Sequence, residues 1–296
     1  MDHLGHALTQ PSAPLLVTGA GGYLGGRILA QLQQRGLPVL GIGRTPDRAG
    51  ACGLVCDLLD PLAVSQLMAQ HTASPVLHCA AVVPKEAGGY ADAQAAEQSL
   101  QMLRNVLAAQ PAQIILTSSM TVYPDGTRLA CEADARAEAG GYAAAKLAAE
   151  RLLLARQGRC DVVLRLPGLF GGPRRSGLLY NAALAYARGE RPVLAQPLPQ
   201  WAALHVDDAA ELCLRAALSP PAGPCVLNAG YPDAMSIPDA LRQLAALLGQ
   251  EPGELPAALP FAFDLTALHA ALGPVAGAWA DRLTELAASA RKLAHA

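Results

Sequence analysis

Short apolar runs alternate with longer amphipathic segments through the first half of the chain. The apolar runs predict strands near 14–18, 38–42, 53–56, 75–79, 112–118 and 161–166. The amphipathic segments predict helices at about 22–35, 60–70, 90–109 and 140–156. Repeated βα units form parallel sheets with helices on both faces. The pattern therefore predicts an α/β fold with a Rossmann-type doubly wound parallel sheet.

The pattern changes after Arg165, where proline and glycine become frequent as far as Pro199. Helices are predicted near 177–188, 207–218, 237–249 and 279–292, with a strand near 225–228. We expect a flexible leader over residues 1–12 and a dinucleotide-binding core over 13–166. Residues 167–296 are expected to form a smaller C-terminal substrate-binding lobe, from which segments near 204–228 return to the core.

Composition and charge narrow the class of partner. Hydrophobic residues make up 52% of the 296 residues, and the net charge is -2, so nothing attracts the chain to nucleic acid. The seven cysteines are scattered without paired C-x-x-C spacing, which predicts reduced thiols and no metal site. Neither a basic signal region nor an apolar run of about 18 residues occurs, so we expect a cytoplasmic protein without a membrane partner.

A glycine-rich turn follows the first predicted strand, with glycines at 19, 22 and 25. In dinucleotide-binding folds such glycines allow a tight turn, a close approach to the pyrophosphate and close packing of helix on sheet. The N–H groups at the start of the following helix then bind the phosphates. A turn without any ligand would have the same glycines, so this motif depends on its context.

Residues after the third and fourth predicted strands supply part of that context. The Asp57 carboxylate could accept a hydrogen bond from an adenine amino group, although a helix cap is an equal alternative. Cys79, Ala80 and Ala81 are small enough for a dinucleotide to lie over the sheet edge. We interpret His78, which precedes them, as a packed strand residue rather than a catalyst.

The choice of cofactor usually depends on the end of the second strand. That strand ends in Arg44, and no acidic residue follows until Asp47. A guanidinium suits the 2′-phosphate of NADP, whereas an acid would bind the ribose hydroxyl of NAD. The sequence favours NADP over NAD, with a solvated loop arginine as the alternative.

A Tyr-x-x-x-Lys pair, Tyr142 and Lys146, opens an alanine-rich predicted helix, and a spacing of four places both side chains on one face. A phenol is a poor base at its ordinary pKa, near 10, but an adjacent ammonium favours the phenolate. Ser119, at the end of the fifth predicted strand, could hold a substrate oxygen while Tyr142 exchanges its proton. Such a pair also arises by chance on surfaces, and three other hydroxyls compete with Ser119: Thr117, Ser118 and Thr121.

Further motifs complete a resemblance that covers the chain from Thr18 to the region around Gly273. They are Ser119–Tyr123, Arg165–Pro167, Phe170–Pro173 and Leu204–Asp208. With the glycine turn and the Tyr-x-x-x-Lys pair, these motifs resemble the NAD(P)-dependent epimerase/dehydratase family, the extended short-chain dehydrogenases. The resemblance implies catalysis by Ser119, Tyr142 and Lys146. The implied cofactor-binding set is Gly19, Gly22, Tyr23, Leu24, Gly25, Arg44, Asp57, Leu58, Cys79, Ala80, Ala81, Tyr142, Lys146 and Pro167.

Several positions depart from the family pattern for nucleotide sugars. Gly168 stands where such enzymes often have an asparagine, and Trp201 stands where they often have an arginine for the diphosphate. Trp201 could form a wall for an apolar substrate, or it could simply pack under the lobe. No Asp-Glu pair follows Ser119, which argues against dehydration, and Ser99 replaces a supporting asparagine of the family. The candidate substrate-binding residues are Val83, Thr121, Gly168 and Trp201.

The first hypothesis is an oxidoreductase, a ketone reductase or alcohol dehydrogenase acting on a small or mid-sized metabolite. The alternative is a sugar or nucleotide-sugar epimerase that oxidises and re-reduces one carbon with a retained cofactor. A third possibility, a non-catalytic NADP-sensing protein, fits poorly with the presence of Ser119, Tyr142 and Lys146 together. The family resemblance also implies a possible homodimer.

Overall fold

A computed structural model describes residues 11–50, 53–84, 87–136, 141–194, 198–258 and 261–294. The predicted leader lies outside the described residues except for positions 11 and 12. The chain divides into two compact units. The first takes the described residues of Met1–Ser118, Glu138–Leu164 and Ala210–Val226. The second takes those of Ser119–Ala137, Arg165–Ala209 and Leu227–Ala296.

A seven-stranded parallel sheet confirms the predicted fold class. The described strands are β1 (Leu15–Thr18), β2 (Val39–Gly43), β3 (Gly53–Val55), β4 (Val76–His78), β5 (Ile114–Ser119), β6 (Leu129–Ala130), β7 (Val162–Leu166), β8 (Gly168–Phe170), β9 (Ala203–His205), β10 (Cys225–Asn228) and β11 (Ala262–Phe263). Seven of them form the sheet in the order β10-β7-β5-β4-β1-β2-β3. Thr18 on β1 pairs with Ile42 on one side and His78 on the other, so the strand order reverses beside β1. Dinucleotides bind at such a reversal.

Helices connect the strands. They are α1 (Tyr23–Gln34), α2 (Pro46–Ala49), α3 (Pro61–Ala69), α4 (Ala93–Ala108), α5 (Gly141–Leu154), α6 (Leu178–Ala187), α7 (Val206–Leu218), α8 (Ile237–Leu248), α9 (Thr266–Leu272) and α10 (Trp279–Ala294). Asp60 caps α3 and Asp92 caps α4, each carboxylate accepting from two backbone N–H groups of the first turn. None of the described helices is both long and apolar enough to cross a membrane.

The core of the first unit lies between the sheet and its helices. Leu16, Val76 and Ile114 on neighbouring strands are fully buried and belong to one cluster with Leu103 of α4 and Leu153 of α5. The strands are continuous apolar runs because both faces of a parallel sheet are covered. This burial fixes the carboxyl ends of β1, β4 and β5, where the candidate site residues lie.

The second unit contains two small parallel strand pairs, β6 with β11 and β8 with β9. Helices α6, α8 and α10 pack against one another beside them. The Trp279 ring at the start of α10 stacks on Phe170 of β8, with centroids 5.5 Å apart. Aromatic side chains therefore supply much of the core of this unit.

The observed units differ from the predicted ranges in two places. Ser119–Ala137, placed in the 13–166 core by the sequence, belongs to the second unit, because β6 pairs with β11 rather than with the large sheet. The segment that returns to the first unit is Ala210–Val226, not the longer 204–228. The sequence also missed β6, β8, β9 and β11, since strands of two or three residues are too short to show a period.

Candidate active site

The glycine turn after β1 is packed too tightly for larger residues. Gly19 has a φ of +67°, and a Cβ there would lie 2.9 Å from the backbone nitrogen of Ala80. A Cβ at Gly25 would lie 2.3 Å from the Gly19 carbonyl oxygen. The turn therefore brings the start of α1 against β1, as a dinucleotide loop requires.

The first turn of α1 has no side-chain cap. Its N-cap is Gly22, whereas α3 and α4 are capped by Asp60 and Asp92. Backbone N–H groups at a helix start carry partial positive charge and bind anions. A helix of 12 residues opening at Tyr23 and Leu24 without a capping side chain is thus suited to a phosphate. The tight turn and this helix start fit the pyrophosphate of a dinucleotide.

The end of β4 lies directly beside this turn. The Ala80 N–H donates to Thr18 Oγ1 at 3.2 Å, and the same oxygen lies 3.1 Å from Nδ1 of His78. His78 is buried, and its Nε2 has no hydrogen-bond partner among the described residues. Burial and the nearby Lys146 lower the pKa of His78 to about 3, so its ring is neutral.

The two polar residues predicted to recognise the cofactor lie on exposed positions. Arg44 directly follows β2. The Asp57 carboxylate accepts from the Leu59 N–H at 3.0 Å, and the helix that follows is capped by Asp60, so the helix-cap alternative for Asp57 was wrong. Leu58, between them, is buried, which leaves its neighbour Asp57 at the surface.

Tyr142 and Lys146 lie one turn apart on α5, as predicted. The Lys146 Nζ lies 5.6 Å from the centre of the Tyr142 ring and donates a hydrogen bond to the Thr117 carbonyl at 2.7 Å. The Tyr90 ring meets the Tyr142 ring edge-on at 5.6 Å. Gly141 allows this contact, because a Cβ there would lie 2.3 Å from the Tyr90 carbonyl oxygen. The phenol is therefore held in place by packing on one side and lies near a cation.

The charge of Lys146 is the main electrostatic feature of this pair. Its side chain is 9% exposed, and burial lowers the pKa of its ammonium to about 8, with Cys79 and Glu150 acting in the opposite direction. Below that pH the ammonium stabilises negative charge on the nearby phenol oxygen. The arrangement can move a proton to and from a bound hydroxyl.

A cavity of about 310 Å³ opens beside these residues in the first unit. Tyr142, Lys146 and His78 line it together with small and apolar residues, including Ala80, Ala81 and Leu103. Ser99 of α4 also lines it. Its hydroxyl accepts from the Val82 N–H and donates to the Ala95 carbonyl, both at 2.9 Å. Ser99 thus supports the loop after β4, which carries the exposed Val83.

The hydroxyls at the end of β5 have different environments. Thr117 donates to the His78 carbonyl at 3.2 Å, and Ser118 donates to the Glu150 carboxylate; both residues are buried. Ser119, the first residue of the second unit, accepts from the N–H and hydroxyl of Thr121 at 3.2 and 3.0 Å. Ser119 and Thr121 are partly exposed, so they are the accessible hydroxyls among the four.

Candidate substrate residues of the second unit lie near its aromatic cluster. Pro167 is buried, and Gly168 is exposed at the start of β8. The Trp201 ring lies 5.8 Å from the Trp279 ring at an angle of 31°. A cavity of about 370 Å³ is lined by Ala202, Ala203, Gly230–Met235, Phe261–Phe263 and Trp279. Asp233 is the one charged side chain among these described lining residues.

Sequence reasoning missed two buried acidic residues beside these sites. Asp208 is bound by two nitrogens of the Arg282 guanidinium, at 2.6 and 2.9 Å, and by the Tyr231 hydroxyl at 2.5 Å. Glu150 lies four residues after Lys146, a spacing that the sequence does show. Its burial could not be read from the sequence, because the neighbouring helix positions are mostly alanine and leucine.

Comparisons with solved structures show the same fold over almost the whole chain. A Burkholderia cenocepacia J2315 protein assigned as an epimerase is 25% identical, with a TM-score of 0.76, and the match covers 96% of this chain and 99% of that one. MoeE5, solved with UDP-glucose and NAD, is 23% identical with a TM-score of 0.77 over 95% and 99%. The UDP-glucose 4-epimerase of Thermus thermophilus, solved with NAD, is 22% identical with a TM-score of 0.74 over 94% and 99%.

A family model gives the assignment. The model of the NAD dependent epimerase/dehydratase family matches residues 15–230, from β1 to just beyond β10. A comparison with curated protein sequences finds no match. The match includes the glycine turn, the Tyr142/Lys146 pair and the segment around His205, which confirms the resemblance seen in the sequence. This chain belongs to the NAD-dependent epimerase/dehydratase family and is an NAD(P)-dependent enzyme.

Proposed function

We propose that this enzyme is an epimerase that inverts one secondary carbinol carbon of a sugar or nucleotide sugar and retains its NAD(P). The observation that carries the proposal is the placement of the buried Lys146 ammonium 5.6 Å from the Tyr142 ring, in the unit that contains the glycine turn. This places a proton-transferring group and a dinucleotide-binding element in one compact unit. Both are needed to oxidise an alcohol and reduce the resulting ketone.

Each residue has a defined part in this proposal. A bound NAD(P) supplies the acceptor, and afterwards the donor, of a hydride. Tyr142 removes the hydroxyl proton during oxidation and returns it during reduction, while Lys146 stabilises the phenolate. The glycine turn and the start of α1 bind the pyrophosphate. Ser119 remains the predicted partner of the substrate oxygen, because its hydroxyl is partly exposed at the end of β5.

The comparisons support the epimerase better than the net ketone reductase that the sequence suggested first. Structures with this fold include UDP-sugar 4-epimerases of Thermus thermophilus and Bacillus cereus. An epimerase consumes no cofactor overall, because the carbon that loses a hydride regains it on the opposite face. The cofactor that we favour is NADP, on the basis of Arg44, although the related structures named above contain NAD. A homodimer and a cytoplasmic location stay predictions.

The test is a search for isomer interconversion without net redox change. The purified enzyme would be supplied with NAD or NADP and incubated with a panel of sugars and UDP- or dTDP-sugars in D₂O, with products followed by NMR. We expect epimer formation without accumulation of reduced cofactor, and the inverted carbon should keep its original hydrogen. Deuterium at that carbon would indicate proton abstraction next to a carbonyl and would contradict the proposal. Tyr142→Phe should abolish epimer formation while cofactor binding persists.

The second candidate is a ketone reductase or alcohol dehydrogenase acting on an uncharged metabolite. The observation that favours it is the aromatic cavity of the second unit, whose described lining residues include no lysine or arginine. Such a lining suits an apolar ligand better than a diphosphate. Stoichiometric consumption of NAD(P)H on a ketone panel, without epimer formation, would support this candidate instead.

A further inference from the structure

Glu150 is a buried carboxylate that forms part of the surroundings of Lys146. The residue is 1% exposed and lies on α5 one turn after Lys146, on the same helix face. Its Oε1 accepts a hydrogen bond from the Ser118 hydroxyl. Lys146 donates to the carbonyl of the preceding strand residue, Thr117. Two successive residues of β5 therefore hold two residues one turn apart on α5.

We propose that Glu150 is a positioning residue whose buried negative charge keeps Lys146 protonated beside Tyr142. The carboxylate is not assigned to the substrate or to the reacting atoms. It acts through Lys146, and its hydrogen bond to Ser118 fixes it at the end of β5. The inference rests on the proposed role of Lys146, and nothing in the resemblance to the family assigns it.

The other groups that face Lys146 cannot supply this charge. From β4, His78 is neutral because burial lowers its pKa to about 3. Cys79 stays a neutral thiol, because burial raises its pKa to about 12. The α4 residues that line the adjoining cavity are Ser99, Leu100 and Leu103, none of which carries a charge. Among these described neighbours, Tyr142 and Glu150 are the remaining titratable groups.

An unpaired ammonium in a buried position tends to lose its proton, because burial disfavours the charged form. A carboxylate on the same helix face opposes that tendency by direct attraction. Glu150 is thus expected to extend the pH range over which Lys146 stabilises a Tyr142 phenolate. A carboxylate with a purely structural role would support α5 without affecting the proton of Lys146.

The test follows the proton on Lys146 directly, without a substrate. The sequence contains three lysines, Lys85, Lys146 and Lys292, so the ¹³Cε signals of the full chain labelled with ¹³C-lysine can be resolved. Lys146→Met identifies the Lys146 signal by its loss. The titration midpoint would be compared in the parent and in Glu150→Gln. We expect Glu150→Gln to lower the midpoint by roughly one pH unit, the usual scale for removal of a nearby opposite charge.

Two further variants serve as controls. Glu97→Gln removes an exposed carboxylate on α4, paired with Arg104, and should leave the Lys146 midpoint unchanged. Glu150→Asp keeps the charge and should retain most of the parent midpoint. An equal midpoint in the parent and Glu150→Gln would overturn the proposal. So would equal shifts in Glu150→Gln and Glu97→Gln, which would reflect net charge alone.

A second measurement covers the case in which Glu150→Gln does not fold. In the parent, the ¹³Cδ signal of Glu150 should move at the pH where Lys146 loses its proton, because the two charges interact. Lys146→Met should abolish that inflection, and its persistence there would overturn the proposal. These titrations are independent of turnover. If epimerase and reductase activities are both absent while the coupling is found, the proposed function fails and the assignment of Glu150 stands.

Discussion

The Thr117 carbonyl accepts a hydrogen bond of 2.7 Å from the Lys146 ammonium, which ties the charged end of this side chain to β5. The hydrogen bond is local, but the charge is buried among strands β4 and β5 and helix α5. Because one carbonyl replaces only part of the water lost on burial, the protonated form is penalised in the folded enzyme. This penalty can be measured as a dependence of stability on pH.

Lys146 should make the enzyme more stable as the pH rises above 8. Its pKa is about 8 in the folded state, against an ordinary value of 10.5, so between these values the unfolded chain binds more protons. The free energy of unfolding should therefore rise with pH across that window, by roughly 1–3 kcal/mol from this residue. Urea unfolding of the parent and Lys146→Met at a series of pH values would reveal the difference in slope.

Lys292 provides the control for this prediction. It is exposed near the end of α10, so Lys292→Met should leave the slope of the parent unchanged. The prediction would be wrong if Lys146→Met and the parent had the same slope between pH 8 and 10.5.

The first unit was largely predictable from the sequence. Its strands are apolar runs of regular spacing, and Gly19 or Gly25 has few roles other than a tight turn. The contacts that set charge were not predictable, because the Ser118 hydroxyl reaches Glu150 over 32 positions of the sequence. The second unit was harder, since β8 and β9 have three residues each and depend on each other for hydrogen bonds. Their existence is a property of the tertiary fold rather than of local sequence.

Arg282→Ala should destabilise the second unit. Asp208 is buried, and the Arg282 guanidinium provides two of its hydrogen bonds, with Tyr231 providing a third. Removing the guanidinium leaves a buried carboxylate without its counter-charge, which typically costs about 3–5 kcal/mol. Because the side chain of Arg282 is 18% exposed, we expect the lower end of that range. Chemical denaturation monitored by tryptophan fluorescence would measure the loss.

Arg242→Ala is the matched control. Arg242 also pairs with an aspartate of the second unit, Asp239, but both side chains are more than half exposed. Its removal should cost at most about 1 kcal/mol. If Arg242→Ala and Arg282→Ala cost the same, burial would not be the source of the Asp208–Arg282 contribution.

Arg44→Ala should weaken NADPH binding far more than NADH binding. Arg44 is exposed directly after β2, and only NADPH has a 2′-phosphate for the guanidinium to bind. Calorimetry with both cofactors would measure the two losses. Arg104→Ala, which removes another exposed arginine of the first unit, should affect neither cofactor. Equal losses for NADH and NADPH, or a parent that prefers NADH, would refute the assignment to NADP.

Trp201 should disfavour ligands that carry a diphosphate. In nucleotide-sugar enzymes that the sequence resembles, an arginine often stands at this position, whereas here an indole lies 5.8 Å from Trp279. Without a cation, the desolvation of a phosphate is not offset. Thermal-shift and turnover assays with UDP- and dTDP-sugars, uncharged sugars and uncharged ketones should show that the parent prefers ligands without a diphosphate.

Substitution of Trp201 decides whether its ring acts on the ligand or only on the fold. Trp201→Arg should weaken the preferred uncharged ligand and improve binding of diphosphates, because it restores a cation. Trp201→Phe keeps an apolar ring against Trp279 and should retain the preference of the parent. Tight binding of a UDP-sugar by the parent, unaffected in Trp201→Arg, would show that Trp201 is structural. Arg174 or Arg175, in the loop between β8 and α6, would then be the next candidates for the phosphates.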